Sequence, residues 1–132
     1  LLVALCHRHG IEVVPLVGPS SLMLALMASG LNGQSFAFAG YIPAKTEERR
    51  TALRNLEKRS AQFHQTQILI ETPYRNDALF ADMLQCLSGN TRLCVAANIT
   101  CPDQFICTCR VSEWKSNPVT IGKRPCVFVF LS

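Results

Sequence analysis

A three-layer α/β sandwich is the fold this sequence predicts, with a mixed, largely parallel sheet of about five strands flanked by helices. Three observations point there. Short runs rich in β-branched and aromatic residues alternate with helical patterns of roughly 10–15 residues, the rhythm of strand–helix–strand units. One run, Gln104 to Arg110, alternates apolar and polar side chains, the pattern of a half-buried antiparallel strand, so the sheet is mixed. Three turns rich in Gly, Pro, Ser or Asn follow strand-like runs: Gly18 to Ser21, Glu71 to Arg75 and Ala97 to Thr100. A parallel sheet gathers such turns on one edge, where open α/β folds approach ligands.

Taken in order, Leu1 to Cys6 reads as the last turns of a helix ended by Gly10. His7, Arg8 and His9 suit the negative end of its dipole. No small-residue cleavage site follows the apolar stretch, so a helix end is the better expectation than a signal peptide. A chain that opens inside a helix reads as a piece of a larger protein. Ile11 to Leu16 is a short β-branched run broken by Pro15, predicting a strand that ends at a bend. Gly18 frees the turn and Pro19 fixes φ for a helix start. Ser20 or Ser21 caps a helix running to Ser29, with Gly30 just past its end. Leu22, Leu24, Ala25, Leu26, Met27 and Ala28 leave that helix no polar face, so burial on all sides is expected. The corner is either a structural joint or one wall of a ligand site.

Asn32 to Ser35 is a loop and Phe36 to Ala39 a short strand. Thr46, Glu47 and Glu48 open a helix in capping order. From Lys45 to Arg59 this helix carries six basic residues against three acidic ones. Leu53 and Leu56 make a narrow apolar stripe, which predicts a surface helix. Its charge reads as a solvated face or, through Arg49, Arg50 and Arg54, as a phosphate-contacting surface. Gln67 to Glu71 is the next strand. Asn76 caps a helix through Leu87, and Arg92 to Ala97 is an apolar strand. Ser112 to Lys115 starts a short turn or helix, and Cys126 to Leu131 is a final strand buried on both faces.

The 132 residues suit one domain, and the 48% hydrophobic content supplies a core. No apolar run reaches the roughly 18–20 residues that span a bilayer. The seven cysteines are odd in number and form no C-x-x-C pair, which reads as reduced, buried thiols of a cytoplasmic protein. Cys101, Cys107 and Cys109 are the alternative, a metal site, but lack the usual knuckle spacing, so no metal is expected. There is no Gly-rich phosphate loop, H-E-x-x-H, G-x-S-x-G or paired-carboxylate spacing. The best polar constellation is Glu71 followed by Thr-Pro-Tyr-Arg. Either Glu71 and Arg75 pair across the turn, or the carboxylate and nearby amides hold a polar ligand.

At these turns the sequence resembles a known family. Val14 to Ser21, Ala28-Ser29-Gly30-Leu31, Phe36 to Lys45 (Phe-Ala-Phe-Ala-Gly-Tyr-Ile-Pro-Ala-Lys) and Ile70 to Arg75 (Ile-Glu-Thr-Pro-Tyr-Arg) occur in order. Together they look like the C-terminal half of the tetrapyrrole methylase family, the class III S-adenosylmethionine-dependent methyltransferases. The nearest branch methylates a ribose 2′-hydroxyl of small-subunit ribosomal RNA. The resemblance implies an enzyme whose S-adenosylmethionine sits in a cleft between two domains, with residues 1–132 supplying only the C-terminal one. By position, Pro19, Ser20, Ser21, Glu71, Thr72, Pro73, Tyr74, Ala96, Ala97, Asn98 and Pro125 would line the cofactor side. It further implies a homodimer, an N-terminal domain of the same protein as partner, and a ribosomal RNA or tetrapyrrole-like acceptor. The alternative is a noncatalytic RNA-binding or dimerisation module that keeps the fold.

One departure is plain. The ribosomal RNA branch carries an Arg-Glu-Leu-Thr block after its fourth strand, then a Lys and a Glu. Here the positions read Ala97-Asn98-Ile99-Thr100-Cys101-Pro102, with both charges of the block gone. The change bears on the RNA acceptor rather than on the cofactor. No residue is assignable as a catalytic base.

Overall fold

A computed structural model describes residues 1–132. The chain runs α1 (Leu2–Arg8), α2 (Ser21–Ser29), β1 (Phe36–Gly40), α3 (Thr46–Phe63), β2 (Thr66–Ile70), a 3₁₀ turn (Pro73–Arg75), α4 (Asn76–Cys86), β3 (Arg92–Ala97), β4 (Phe105–Arg110), α5 (Val111–Ser116) and β5 (Cys126–Leu131). The five strands form one sheet in the order β1-β2-β5-β3-β4. No helix is long and apolar enough to cross a membrane.

The mixed five-strand sheet flanked by helices is the predicted class, but its balance is the reverse of the expectation. Only β1 and β2 pair in parallel, while β2–β5, β3–β5 and β3–β4 are antiparallel. The reason is the last strand. β2 and β3 run the same way and α4 connects them, as a parallel pair requires. Cys126–Leu131 then inserts between them, running the opposite way, and converts one parallel ladder into two antiparallel ones. The β4 strand is antiparallel and half-buried, as its alternation indicates.

Strand alternation sends side chains to two cores. On one face Leu69, Leu93, Val95, Phe128 and Phe130 pack with Leu53 of α3, Leu79 and Met83 of α4 and Trp114 of α5. Trp114 donates its indole N–H to the Leu93 carbonyl at 2.8 Å and meets Phe80 edge-on, with centroids 5.4 Å apart. On the other face Ile68, Cys94, Ala96, Val127 and Val129 pack under Ala25 and Leu26 of α2. Every residue of β5 is buried, as expected of the central strand.

Four local expectations change. Ile11 to Leu16 is not a strand: no edge pairs with it, and a β-branched run without a ladder stays irregular. Val14, Leu16 and Val17 stand exposed, as do Leu1 and Leu2. The α2 helix buries one side only, through Ala25, Leu26 and Ser29, and leaves Met27 at 77% exposure, because nothing covers its far side. Its termini are as predicted: Ser20 Oγ accepts from the Met23 amide and Gly30 takes φ +68°.

Thr46 and Asn76 are first helical residues rather than caps. Asn76 instead donates to the carbonyls of Gly122 and Arg124 at 3.1 and 2.7 Å. Among the cysteines only Cys94 and Cys126 are buried, and Cys101 is exposed, because the loop after β3 turns outward.

Burial pushes the Cys126 thiol from an ordinary 9.0 up to about 12. An unfolded chain releases that proton near the ordinary value while the folded one keeps it. The resulting stability is present in full below about pH 9 and is lost as pH rises toward about 12, at about 1.4 kcal/mol per pH unit. Urea denaturation between about pH 9 and 11 should show a shallower loss for Cys126→Ala than for the parent. Parallel losses would contradict it.

Candidate functional site

The site is built where strands end. Ile70 pairs with Val127 and Ala97 with Cys126, so β2 and β3 finish, and β5 begins, on the same edge of the sheet. Glu71, Asn98 and Pro125 therefore meet there. The start of α2 brings Ser21 alongside, and the four residues share the wall of a cavity of about 310 Å³. The three turns gather on one edge as expected. Parallel strands place the Glu71 and Asn98 turns there, α2 packed on the sheet places Ser21, and the antiparallel β5 adds Pro125.

Each part of the wall is pinned. The Asn98 amide donates to the Pro125 carbonyl at 2.9 Å, one step beyond the last ladder pair. Asn98 and Thr100 adopt φ +48° and +71°. For a β-branched residue that conformation stores strain on the order of 1–3 kcal/mol. Two side-chain bonds hold the loop: Asn98 Nδ2 to Asp103 Oδ2 at 2.7 Å, and the Thr100 amide to Gln104 Oε1 at 2.8 Å. Behind Pro125, Asp77 accepts from the amides of Ile121 and Gly122 at 2.7 and 3.0 Å, so α4 fixes the approach to β5.

Glu71 is the one charged residue in the cavity wall and is 6% exposed. Its Oε1 accepts from the Thr72 amide at 2.7 Å and from Arg75 Nε and Nη2 at 3.1 and 3.0 Å. Its Oε2 is buried and has no partner. The pairing across the turn thus forms and uses only one oxygen. The other is a desolvated acceptor, costing on the order of 1–3 kcal/mol until a donor reaches it.

Of the residues expected along the cofactor side, Ser21, Glu71, Pro73, Ala96, Asn98 and Pro125 line the cavity. Pro19, Ser20, Thr72, Tyr74 and Ala97 do not. Ser20 spends its hydroxyl on the helix cap, and Pro19 before it is exposed. Thr72 backs the Glu71 carboxylate. Tyr74 is 70% exposed with the Arg75 guanidinium 5.2 Å from its ring centre. Ala97 points into the opposite core, the neighbour of Ala96 on an alternating strand.

Tyr41, Ile70, Ile99, Cys101, Cys126 and Val127 also line the cavity. Ile70, Ile99 and Cys126 sit beside the predicted Glu71, Asn98 and Pro125, and their signal was adjacency; Cys101 and Val127 adjoin no predicted residue. Tyr41 lies in the Gly-Tyr-Ile-Pro block, where no local pattern marks it as facing a ligand.

The basic helix differs from both of its readings at Arg49. That residue is 5% exposed and holds Asp82 of α4 through Nε at 2.6 Å, with Arg50 Nε on the other oxygen at 2.9 Å. Asp82 pushes the Arg50 guanidinium further up, chiefly through that hydrogen bond. Arg49 is therefore unavailable to solvent or phosphate, while Arg54 remains exposed.

No family model matches the chain. Among curated proteins, the Ribosomal RNA small subunit methyltransferase I of Vibrio cholerae is 39% identical over 99 residues, covering 75% of this chain and 33% of that protein. The protein of the same name from Synechocystis is 37% identical over 99 residues, covering 75% and 34%. The chain thus spans about a third of the length of the curated relatives it matches. Among solved structures, the methyltransferase CobJ superposes with a TM-score of 0.59 at 15% identity, over 99% of this chain and 55% of that one. CbiF, a cobalt precorrin-4 methyltransferase, gives 0.54 at 15% identity, over 98% and 56%. The relatives' sequences and the shared fold agree with the resemblance to the tetrapyrrole methylase family that the turns carry.

Proposed function

We propose that this chain is the C-terminal, S-adenosylmethionine-binding part of a methyltransferase acting on small-subunit ribosomal RNA. The observation that carries this reading is the unpartnered Glu71 Oε2 in the wall of a largely apolar cavity at the strand ends. Such a cavity suits a ligand with an apolar body and a few hydrogen-bond donors, and S-adenosylmethionine carries amino, ammonium and hydroxyl donors on such a body. The Ribosomal RNA small subunit methyltransferase I names of the sequence relatives support the reaction class.

Bound there, the cofactor supplies an electrophilic methyl group on a sulfonium centre. Glu71 would accept a hydrogen bond from it. Asn98 and the backbone around Ala96 and Pro125 would fix its orientation, and Ile70, Pro73, Ile99 and Val127 would exclude water. Fixing orientation matters because methyl transfer requires the acceptor in line with the departing sulfur.

The cavity supplies one wall only. We place the second wall on an N-terminal domain of the same protein, over the edge where Leu16 and Val17 stand exposed. The uncharged Ala97-Asn98-Ile99-Thr100 stretch stands where the ribosomal RNA branch carries Arg-Glu-Leu-Thr, and this favours a second reading, a module that keeps the fold without the RNA chemistry.

Calorimetric titration of this chain and of the longer gene product with S-adenosylmethionine tests the proposal. Small-ligand sites bury about 70–90% of the ligand, which one wall cannot do. The longer product should bind about a hundredfold tighter, equivalent to about 3 kcal/mol of contact energy. Equal affinities would mean that residues 1–132 complete the site. Absence of binding by the longer product would overturn the cofactor assignment.

A further inference from the structure

We infer that Cys101 is a thiol-modification site at the rim of the Glu71 cavity, where a mixed disulfide with a small-molecule disulfide closes the cavity to ligand. The inference builds on the cofactor reading for what is blocked, but not for the modification itself.

Of the seven cysteines only Cys101 is exposed, and it is also one of the residues forming the cavity wall. Its position is held on both sides: its amide donates to the Asn98 carbonyl at 2.9 Å, and its carbonyl accepts from the Gln104 amide at 3.0 Å. The thiol is thus presented by an ordered loop rather than a loose one. The same wall holds the buried, unpartnered Glu71 Oε2, which marks the cavity as a place for a ligand independently of the cysteine. A group attached at Cys101 would occupy the solvent side of a 310 Å³ space.

Four of the other thiols, Cys86, Cys94, Cys109 and Cys126, are disfavoured by their surroundings, each pushed up chiefly by burial. Cys94 and Cys126 are buried, and burial pushes Cys109 up to about 11 and Cys126 up to about 12 from an ordinary 9.0. At neutral pH Cys109 holds about a hundredfold less thiolate than an ordinary cysteine, and Cys126 about a thousandfold less.

The chemistry balances as an exchange. The Cys101 thiolate attacks one sulfur of the small disulfide, and the S–S bond of the reagent breaks. A new bond forms between Cys101 Sγ and the attacked sulfur, and the expelled thiolate takes up the proton that Cys101 released. Cys101 is oxidised and the expelled half is reduced, so a thiol reductant reverses the step.

The test uses the full gene product and glutathione disulfide, with peptide mass spectrometry to locate the adduct. Calorimetry with S-adenosylmethionine is run before treatment, after it and after reduction. Hydrogen exchange across Ile70 to Arg75 reads coverage of the cavity without any cofactor. The adduct should form at Cys101 about tenfold or more ahead of the other thiols. Exchange at the Glu71 turn should slow, and cofactor binding should be lost and then restored by reduction. In Cys101→Ser the ratio of treated to untreated affinity should be one.

Adduct spread over Cys6 and Cys107, or full cofactor affinity in protein modified at Cys101, would overturn the inference and leave the proposed function standing. A selective adduct that slows exchange, in a protein that never binds S-adenosylmethionine, would overturn the proposed function and uphold the modification site.

Discussion

Asp82→Ala should destabilise the fold by about 3–5 kcal/mol, the loss expected when one partner of a buried ion pair is removed. The Asp82 and Arg49 side chains are 7% and 6% exposed, and the pair joins α3 to α4 across the first core. Removing the carboxylate strands the Arg49 guanidinium in that layer, where only the Ala44 carbonyl, 3.2 Å from Nη1, still accepts from it. Arg50 is 29% exposed and turns to water at little cost, so Arg50→Ala should lose well under half as much. Urea denaturation of the two variants beside the parent separates the effects. Equal losses would show that the pair acts as a surface contact. A double change to apolar residues of similar volume should recover most of the loss, because the penalty belongs to the orphaned charge rather than to the missing bond.

Glu71→Gln should weaken binding of S-adenosylmethionine by the full gene product about 10- to 100-fold, the range expected when a hydrogen bond to a buried charge is lost. Glutamine keeps the size of the side chain and an acceptor oxygen for the Thr72 amide. It removes the charge facing Arg75 and puts a donor among donors. Arg75 is 34% exposed and can rehydrate, so the denaturation midpoint should move far less than the affinity. That split is the diagnostic. A large stability loss with unchanged affinity would make Glu71 a structural acid and move the ligand elsewhere.

The two results probe features that differed in how legible they were. Glu71 was visible because a carboxylate followed by Thr-Pro-Tyr-Arg at a strand end is a local pattern. Its Arg75 partner lies four residues away. Asp82 was invisible: its partners Arg49 and Arg50 lie 33 and 32 residues earlier on another helix, and a lone Asp on an amphipathic stretch carries no mark of burial. Cys101 sat in the resemblance only as a departure, and its exposure followed from a loop whose path depends on Asp103 and Gln104.

What this sequence determined by itself was local. The limits of Arg92–Ala97 and Cys126–Leu131, the Ser20 cap, the Gly30 stop and the half-buried alternation of β4 depend on neighbours within about four residues, where periodicity and capping act. Sheet order, the antiparallel majority and the meeting of Ser21, Glu71, Asn98 and Pro125 were decided only by tertiary structure. So was the failure of Ile11 to Leu16 to become a strand. A strand exists through its partner, and a β-branched run reads the same whether or not a sheet edge reaches it. The insertion of β5 between β2 and β3 settled both the sheet and the site. It is a long-range pairing, and nothing in the composition of Cys126–Leu131 says which two strands it will separate.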